Sequence, residues 1–444
     1  MPSLRSLTIS HGLLDQASLQ PLDEALAHRS GVLQHLTMLS LRGSSCQGAP
    51  PGVDPATSRN LQTLASILTC MPALEHIDLC RCGLTASRVG LLVPALKCLE
   101  HLRYIDVGEN ELGYHGVALL SAAWSGLKHM QTLKLDDVLW GGPAFDGRGD
   151  AVSVMALIDS IEELTMLQHL SLGHFAVASE SDNTCAVMLA AALLQLSSLQ
   201  SLSMRCTGWW ASSMRCLTLA LCNHKQLCSL TVDAYSHERT ADCTGEMAAF
   251  GSGLSALTSL VKLEVHCRAN VCALEELAHL TGLKELTLRR LQLPDEHTCC
   301  ALGSALSGLQ ALQKLAILQP GLRTKNAVHF APVLGGLTQL TELALDIDSR
   351  PTTIPEEVFA EIQSRYVIDT AECGIEAVAE EIARLPLLKV LDIGDQGKKL
   401  DKSELYAVSR ALSTVGRSLD VFNGMKWTPW CFDEWWDIVY SGDT

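Results

Sequence analysis

The apolar positions of this chain fall into one recurring pattern, Leu-x-x-Leu-x-Leu. Clear copies start at Leu36 (LTMLSL), Leu74 (LEHIDL), Leu102 (LRYIDV), Met130 (MQTLKL), Leu167 (LQHLSL) and Leu199 (LQSLSM). Further copies start at Leu227 (LCSLTV), Leu260 (LVKLEV), Leu283 (LKELTL), Leu312 (LQKLAI) and Leu340 (LTELAL), with outlying ones at Leu4 (LRSLTI) and Leu388 (LKVLDI). A step of 28 residues recurs between starts, and longer steps read as the same unit with loop insertions. Leucines at the first, fourth and sixth positions cannot all face one side of an isolated strand. A short strand followed by a bend lets them share one interior. Between copies the spacing turns helical, over 84–99, 112–127 and 184–199. In 112–127, Val117, Leu119, Leu120, Ala123, Trp124 and Leu127 fall on one helical face. Each unit is therefore predicted as one strand and one helix, joined by right-handed crossovers into a parallel sheet. Stacked units bury an aliphatic core that no unit buries alone.

The run LRYIDVGENELGYHGVALLSAAWSGLKHM (102–130) resembles a long leucine-rich repeat of the ribonuclease-inhibitor type. The resemblance includes Asn110 at the ninth position, where that family uses asparagine to bond the backbone of the bend. Cys82 is a family variant at the same position, whereas Val138, Thr207, Tyr235 and Leu291 depart from it. The resemblance implies an α/β leucine-rich-repeat solenoid, a horseshoe of about 13 repeats with a parallel β-sheet on the concave face and helices on the convex face. Residues 1–345 are read as about 12 repeats and 346–374 as an insertion or degenerate repeat with its strand near Tyr366–Asp369. Residues 375–418 form the last repeat, and 419–444 a Trp-rich C-terminal cap over the last core layer or a docking segment. Such a fold hosts many roles, so function has to be read from side chains.

Composition narrows the classes. Apolar residues make up 48% and charged residues 18%, which fits a folded chain, and 5% aromatics make its core aliphatic. The net charge of −16, from 33 Lys+Arg against 49 Asp+Glu, argues against a nucleic-acid partner. No apolar run is long enough for a membrane span, and the first residues, MPSLRSLTISHG, do not read as a signal peptide. With 17 cysteines and no Asn-x-Ser/Thr sequon, the chain reads as cytoplasmic or nuclear, its thiols reduced and used as small buried hydrophobes.

Side chains between the leucines are expected to stand exposed on the concave face. Successive copies supply His76, Asp78 and Arg81, then Tyr104, Asp106 and Glu109, then Lys134, Asp136 and Asp137. The middle copies supply His169, His174, Arg205 and Asp233; later ones supply Lys262, Glu264, His266, Glu285, Arg289 and Arg290, and the last Glu342, Asp346, Asp392 and Asp395. The face reads as acidic near both ends and mixed or basic in the middle. This pattern suits a protein partner of complementary charge; the plainer reading is a solvated face that any soluble array requires. Four insertions leave the same end of the strands, at 43–60, 137–150, 234–247 and after Leu345. The second carries Trp140 and Phe145 among glycines, residue types that anchor contacts, although long surface loops are also simply tolerated.

Catalytic motifs are lacking. No phosphate-binding Gly-rich loop and no His-Glu-x-x-His is present. Cys80-Arg-Cys82 is not a zinc spacing, Cys299-Cys300 has no partner pair nearby in sequence, and His169 and His174 lack a carboxylate partner there. No catalytic residue, cofactor or metal is therefore assigned. The expected role is a non-catalytic scaffold or adaptor that binds a protein partner on its concave face and insertion rim. Three alternatives are an inhibitor or receptor covering a basic protein, a GTPase-activating protein of the Ran-activating type with Arg81 and Asn110 on neighbouring units, and the sensor arm of a larger immune or virulence protein.

Overall fold

The computed structural model describes residues 4–9, 19–20, 32–44, 55–138, 151–174, 184–205, 211–234, 250–251, 253–267, 275–291, 293, 295–318, 322, 324–346, 374–395, 398–399, 408, 410–412, 419–422 and 425–426. The chain forms two compact units, Met1–Ala241 and Asp242–Thr444.

The first unit carries β1 (Ser6–Thr8), β2 (Met38–Ser40), β3 (His76–Asp78), β4 (Tyr104–Asp106), β5 (Thr132–Lys134), β6 (His169–His174), β7 (Ser201–Arg205) and β8 (Ser229–Ala234). Each pairs in parallel with the next. Parallel neighbours require a crossover, supplied here by α1 (Pro55–Thr69), α2 (Ala86–Leu96), α3 (Gly113–Trp124), α4 (Ala151–Glu162), α5 (Thr184–Gln195) and α6 (Ala211–Leu221). Adjacent helices pack on one another, and Trp124, fully buried in α3, donates its indole N–H to Ser160 Oγ of α4 at 2.9 Å. The first insertion is shorter than the sequence suggested. Residues 55–60 already belong to α1, which opens on Pro55, a residue whose fixed φ suits a first helical turn.

The second unit repeats the plan with β9 (Lys262–Cys267), β10 (Glu285–Arg289), β11 (Lys314–Leu318), β12 (Glu342–Asp346) and β13 (Val390–Asp395), again parallel and sequential. Its described helices include α7 (Glu296–Ser307), α8 (Thr324–Gly336) and α9 (Gly374–Ala383). Between β9 and β10, the shortest step between repeats, the described residues include a 3-10 turn (Glu275–His279). β12 pairs directly with β13; the strand expected near Tyr366–Asp369 lies outside the described residues. Beyond β13, β14 (Lys398–Lys399) pairs with it antiparallel, β15 (Val421–Phe422) parallel, and β16 (Met425–Lys426) closes a short antiparallel pair with β15.

Register makes equivalent repeat positions stack in columns. Position three runs His76, Tyr104, Thr132, His169, Ser201, Ser229 across β3–β8. Positions one, four and six face the interior: Leu74, Ile77 and Leu79 are buried, as are Leu102, Ile105 and Val107, and Met130, Leu133 and Leu135. The ninth position closes the bend. Asn110 donates through Nδ2 to the carbonyls of Val107 (2.7 Å) and Gly108 (3.1 Å) in its own bend and of Leu79 (2.9 Å) in the preceding repeat. Its Oδ1 accepts from the amides of Cys82 and Leu84, both at 3.0 Å. Cys82 reproduces the backward bond, its thiol donating to the Leu41 carbonyl at 3.1 Å. Val138 and Leu291 fill the same position by burial alone. Thr207 and Tyr235 lie outside the described residues.

One repeat breaks the apolar rule. Leu164, Leu196, Leu257, Leu280 and Leu309 are the buried leucines that precede successive strands, and His224 stands at the equivalent place, only 4% exposed. Neither ring nitrogen makes a well-formed hydrogen bond. Burial pulls its pKa below the usual histidine value, against a partial upward pull from the Leu193 and Leu196 carbonyls, so the folded ring is neutral.

Two outcomes follow from these bonds. Asn110→Ala should destabilise by about 3 kcal/mol or more, because several buried backbone groups lose their partner at once; urea unfolding measures it. His224→Leu should raise stability at pH 7 by about 1–2 kcal/mol by removing an unsatisfied polar group. A histidine whose folded pKa is depressed contributes full stability above its unfolded pKa and loses it as pH falls through about 6.5 towards the folded value. Melting curves at pH 7 and pH 5 should therefore differ less for His224→Leu than for the wild type.

Candidate functional site

The open strand face of the first unit gathers most of the candidate side chains. Position five of β2, β3 and β4 places Ser40, Asp78 and Asp106 side by side. Arg42, just past β2, reaches across both acids: its Nε donates to Asp78 Oδ2 at 3.0 Å and its Nη2 to Asp106 Oδ2 at 2.9 Å. The opposite oxygen of each carboxylate accepts a backbone amide two residues on, Cys80 N at 3.0 Å and Gly108 N at 2.9 Å. Ser40 Oγ donates to Asp78 (3.4 Å) and the Tyr104 hydroxyl to Asp106 (3.3 Å). Strand alternation predicts both aspartates to be exposed; in the structure they are buried. Asp78 is 8% exposed and Asp106 3%, because a short aspartate side chain bonds to its own bend and the longer neighbours close over it.

Burial raises the Asp106 pKa, with the Gly108 amide and the Arg42 and Lys134 charges opposing. The hydrogen bond to Asp78 drives the Arg42 guanidinium further up, so it stays charged. Cys80 lies beside the clamp and burial pushes its thiol up to about 12, the charge of Asp106 adding to the effect; it is a packed thiol rather than a nucleophile.

Above the clamp, the rings of His76 and Tyr104 stack at 3.8 Å and 9°, as their paired position in β3 and β4 dictates. Lys134, on the next strand, holds its ammonium 5.5 Å from the Tyr104 ring centroid. Burial lowers the His76 pKa despite the nearby Asp78 and Asp106 charges. Burial and the same charges raise that of Tyr104. The stack is therefore neutral, rigid and half-exposed, flanked by the Lys134 and Arg42 cations.

The rim has its own rule. Position eight is left-handed in four non-glycine residues, Arg81 (φ 58), Glu109 (φ 54), Asp137 (φ 52) and, in the second unit, Arg290 (φ 60); Gly43 (φ 71) holds the equivalent place. That conformation costs an L-residue roughly 1–2 kcal/mol, and these four described left-handed residues are all charged. Arg81 pairs with Glu109. Arg205 bridges Asp137 at 2.8 Å and Asp233 at 3.5 Å, and Ser171 donates to Asp136. Gly173, also left-handed, has no room for a side chain: a Cβ there would sit 2.6 Å from the Asp137 amide. His169 is exposed at position three of β6. The side chain of His174 and the residues Trp140 and Phe145 lie outside what the structure describes.

Arg289 and Arg290 sit in the second unit. There Arg289 Nε lies 3.4 Å from Glu264, which also binds His266 at 2.8 Å; the His266 bond chiefly holds the Glu264 pKa below the carboxylate range. Position three of this unit alternates in sign, with Lys262, Glu285, Lys314 and Glu342 on consecutive strands. Its ion pairs run 4.0, 3.9 and 3.0 Å. Sequence reasoning missed Arg42, Ser171 and Lys314. Arg42 was discoverable, since it holds the seventh position of the copy at Leu36, where Arg205 and Arg289 stand in theirs.

No protein-family model matches the chain, and no curated protein does. Solved structures similar to it include a TLR13–ssRNA13 complex, at 16% identity and a TM-score of 0.38, with the match covering 93% of this chain and 57% of that one. Internalin C2 of Listeria monocytogenes is another, at 16% identity and a TM-score of 0.32, covering 60% of this chain and 93% of that one. The chain thus spans little more than half the length of the TLR13 chain. Strand register and the bonded bend carry the fold assignment independently of these likenesses. With parallel strands alternating with helices at the spacing of the apolar repeat, the chain has an α/β leucine-rich-repeat fold.

Proposed function

We propose that the chain is a non-catalytic interaction scaffold in a reducing compartment, cytoplasmic or nuclear, and that it binds a protein partner on the open strand face of the first unit. The single observation that carries this reading is the His76–Tyr104 stack, held over the Arg42–Asp78–Asp106 clamp and flanked by Lys134. Exposed aromatic and arginine side chains on rigid supports are what binding hot spots are made of. Their order is already present before binding, which lowers the entropy of association. Trp140 and Phe145 on the neighbouring insertion are proposed to extend the same contact.

The electrostatics favour this scaffold over an inhibitor of a basic protein. The acids of the face are matched locally: Asp78 and Asp106 by Arg42, Glu109 by Arg81, and Asp137 and Asp233 by Arg205. A face so balanced suits a partner with apolar and mixed-charge groups. Among its described residues, with Asp136 bonded to Ser171 rather than to a cation, it offers neither a run of bare acids that would capture a basic protein nor a cationic stripe that draws phosphates. Asn110 is taken up in five bonds to backbone, which argues against a role for it in GTP hydrolysis. Thiols such as Cys70, Cys98, Cys228, Cys299 and Cys300 are unpaired, in keeping with a reducing compartment. Among the described residues no helix is long and apolar enough to cross a membrane.

Two variants test the reading. Tyr104→Ala combined with Lys134→Glu should lower partner binding about thirtyfold or more, a loss of about 2 kcal/mol or more. The melting temperature should also fall, because the buried Asp106 loses its tyrosine donor and a neighbouring cation. An unchanged far-ultraviolet circular dichroism spectrum at the binding temperature shows that the variant is still folded. Affinity capture from native extract, quantified against the wild type, measures this; an unchanged partner set moves the site off this face. Glu109→Gly should separate stability from binding. It relieves a left-handed residue and should raise stability by up to about 1 kcal/mol while weakening capture. A gain in stability with binding unchanged removes the rim from the interface.

A further inference from the structure

We propose that Glu296, Cys300 and His329 form a binding site for a zinc-class divalent cation that ties two consecutive repeats of the second unit together. Glu296 and Cys300 lie one turn apart on α7 and so share a face; His329 comes from α8, which packs beside it. Among the described residues, these three bring a carboxylate oxygen, a thiol sulfur and a ring nitrogen within 4.8 Å of one another. Glu296 Oε1 already lies 3.4 Å from His329 Nδ1. Two ligand atoms of a tetrahedral zinc ion with bonds of about 2.0–2.1 Å sit roughly 3.3 Å apart. The carboxylate oxygen and the ring nitrogen thus already stand close to that separation.

The surroundings hold these groups outward. The start of α7 is fixed by a capping box in which the Thr298 amide donates to Asp295 Oδ1 at 2.9 Å. The adjacent Cys299 is fully buried, which sets the rotation of the helix and turns Cys300 to solvent. Glu296 and His329 have side chains 68% and 34% exposed, so an ion reaches them directly. One thiolate, one imidazole and one carboxylate make a donor set for zinc rather than for calcium or magnesium, which take oxygen ligands. The fourth position is left to water. Cys299-Cys300 has no partner pair nearby in sequence, because the third donor stands one repeat away and adjacency comes only from stacking.

The test uses the full chain, stripped with a chelator under reducing conditions. Zinc affinity is measured by competition with a chromophoric chelator, and cobalt serves as a spectroscopic probe for a thiolate ligand. The wild type should bind zinc tightly and show a near-ultraviolet cobalt–thiolate band. Cys300→Ser should abolish that band. Cys300→Ser, His329→Ala and the isosteric Glu296→Gln should each weaken zinc by at least the roughly 10–100-fold that loss of an outer-shell partner costs. Cys98→Ser, at another exposed thiol, should leave both readouts unchanged. Melting curves in chelator should coincide for all these surface variants, so a lost signal reports the metal and not the fold. Equal zinc affinity in the wild type and Cys300→Ser, or no cobalt–thiolate band in the wild type, overturns the proposal and leaves Glu296 and His329 as a surface ion pair.

Discussion

A chain that turns out of a strand into a helix within a few residues, and does so at the core, must find partners for buried backbone groups that neither element satisfies. The rest of the architecture depends on meeting that constraint. Asn110 meets it by bonding three carbonyls and two amides across two successive bends. Cys82 supplies the backward bond with a thiol. Each such bond fixes one repeat to the one before it, and that fixes the strand register. Register in turn decides which side chains share a column on the open face.

The charged character of that face follows from the same stacking. Read along the sequence, the candidate residues form a face acidic near both ends and mixed or basic in the middle. Arranged in columns, they are a set of local neutralisations: Arg42 with Asp78 and Asp106, Arg205 with Asp137 and Asp233, and alternating Lys262, Glu285, Lys314 and Glu342. Exposed pairs of this kind add little stability. The buried aspartates are different, because amides and a guanidinium hold them and desolvation makes any lost partner costly. They hold the platform in shape, and the stacked rings above are left to make contact. The left-handed charged residues at position eight carry backbone strain that glycine would avoid, which fits a rim kept for its side chains.

Much of the fold was legible in the chain itself. The period of the apolar positions, the helical stripe at Val117, Leu120 and Trp124, and the asparagine at the ninth position are local signals set by side-chain burial and backbone bonding. The candidate site was legible by position, since the side chains between the leucines are fixed by strand alternation. Their state was not, because exposure and charge pairing depend on neighbours about 28 residues away.

The sequence by itself determined the strand-and-helix unit, the count of its copies and the residues offered to the open face, because each follows from spacings within one repeat. Only the tertiary structure decided that Asp78 and Asp106 are buried beneath Arg42, that His224 occupies a leucine's place with no well-formed hydrogen bond to its ring, and that Cys300 faces His329. Each of these joins residues of different repeats, and their meeting is set by the stacking register, a property of the assembled array and not of any one unit.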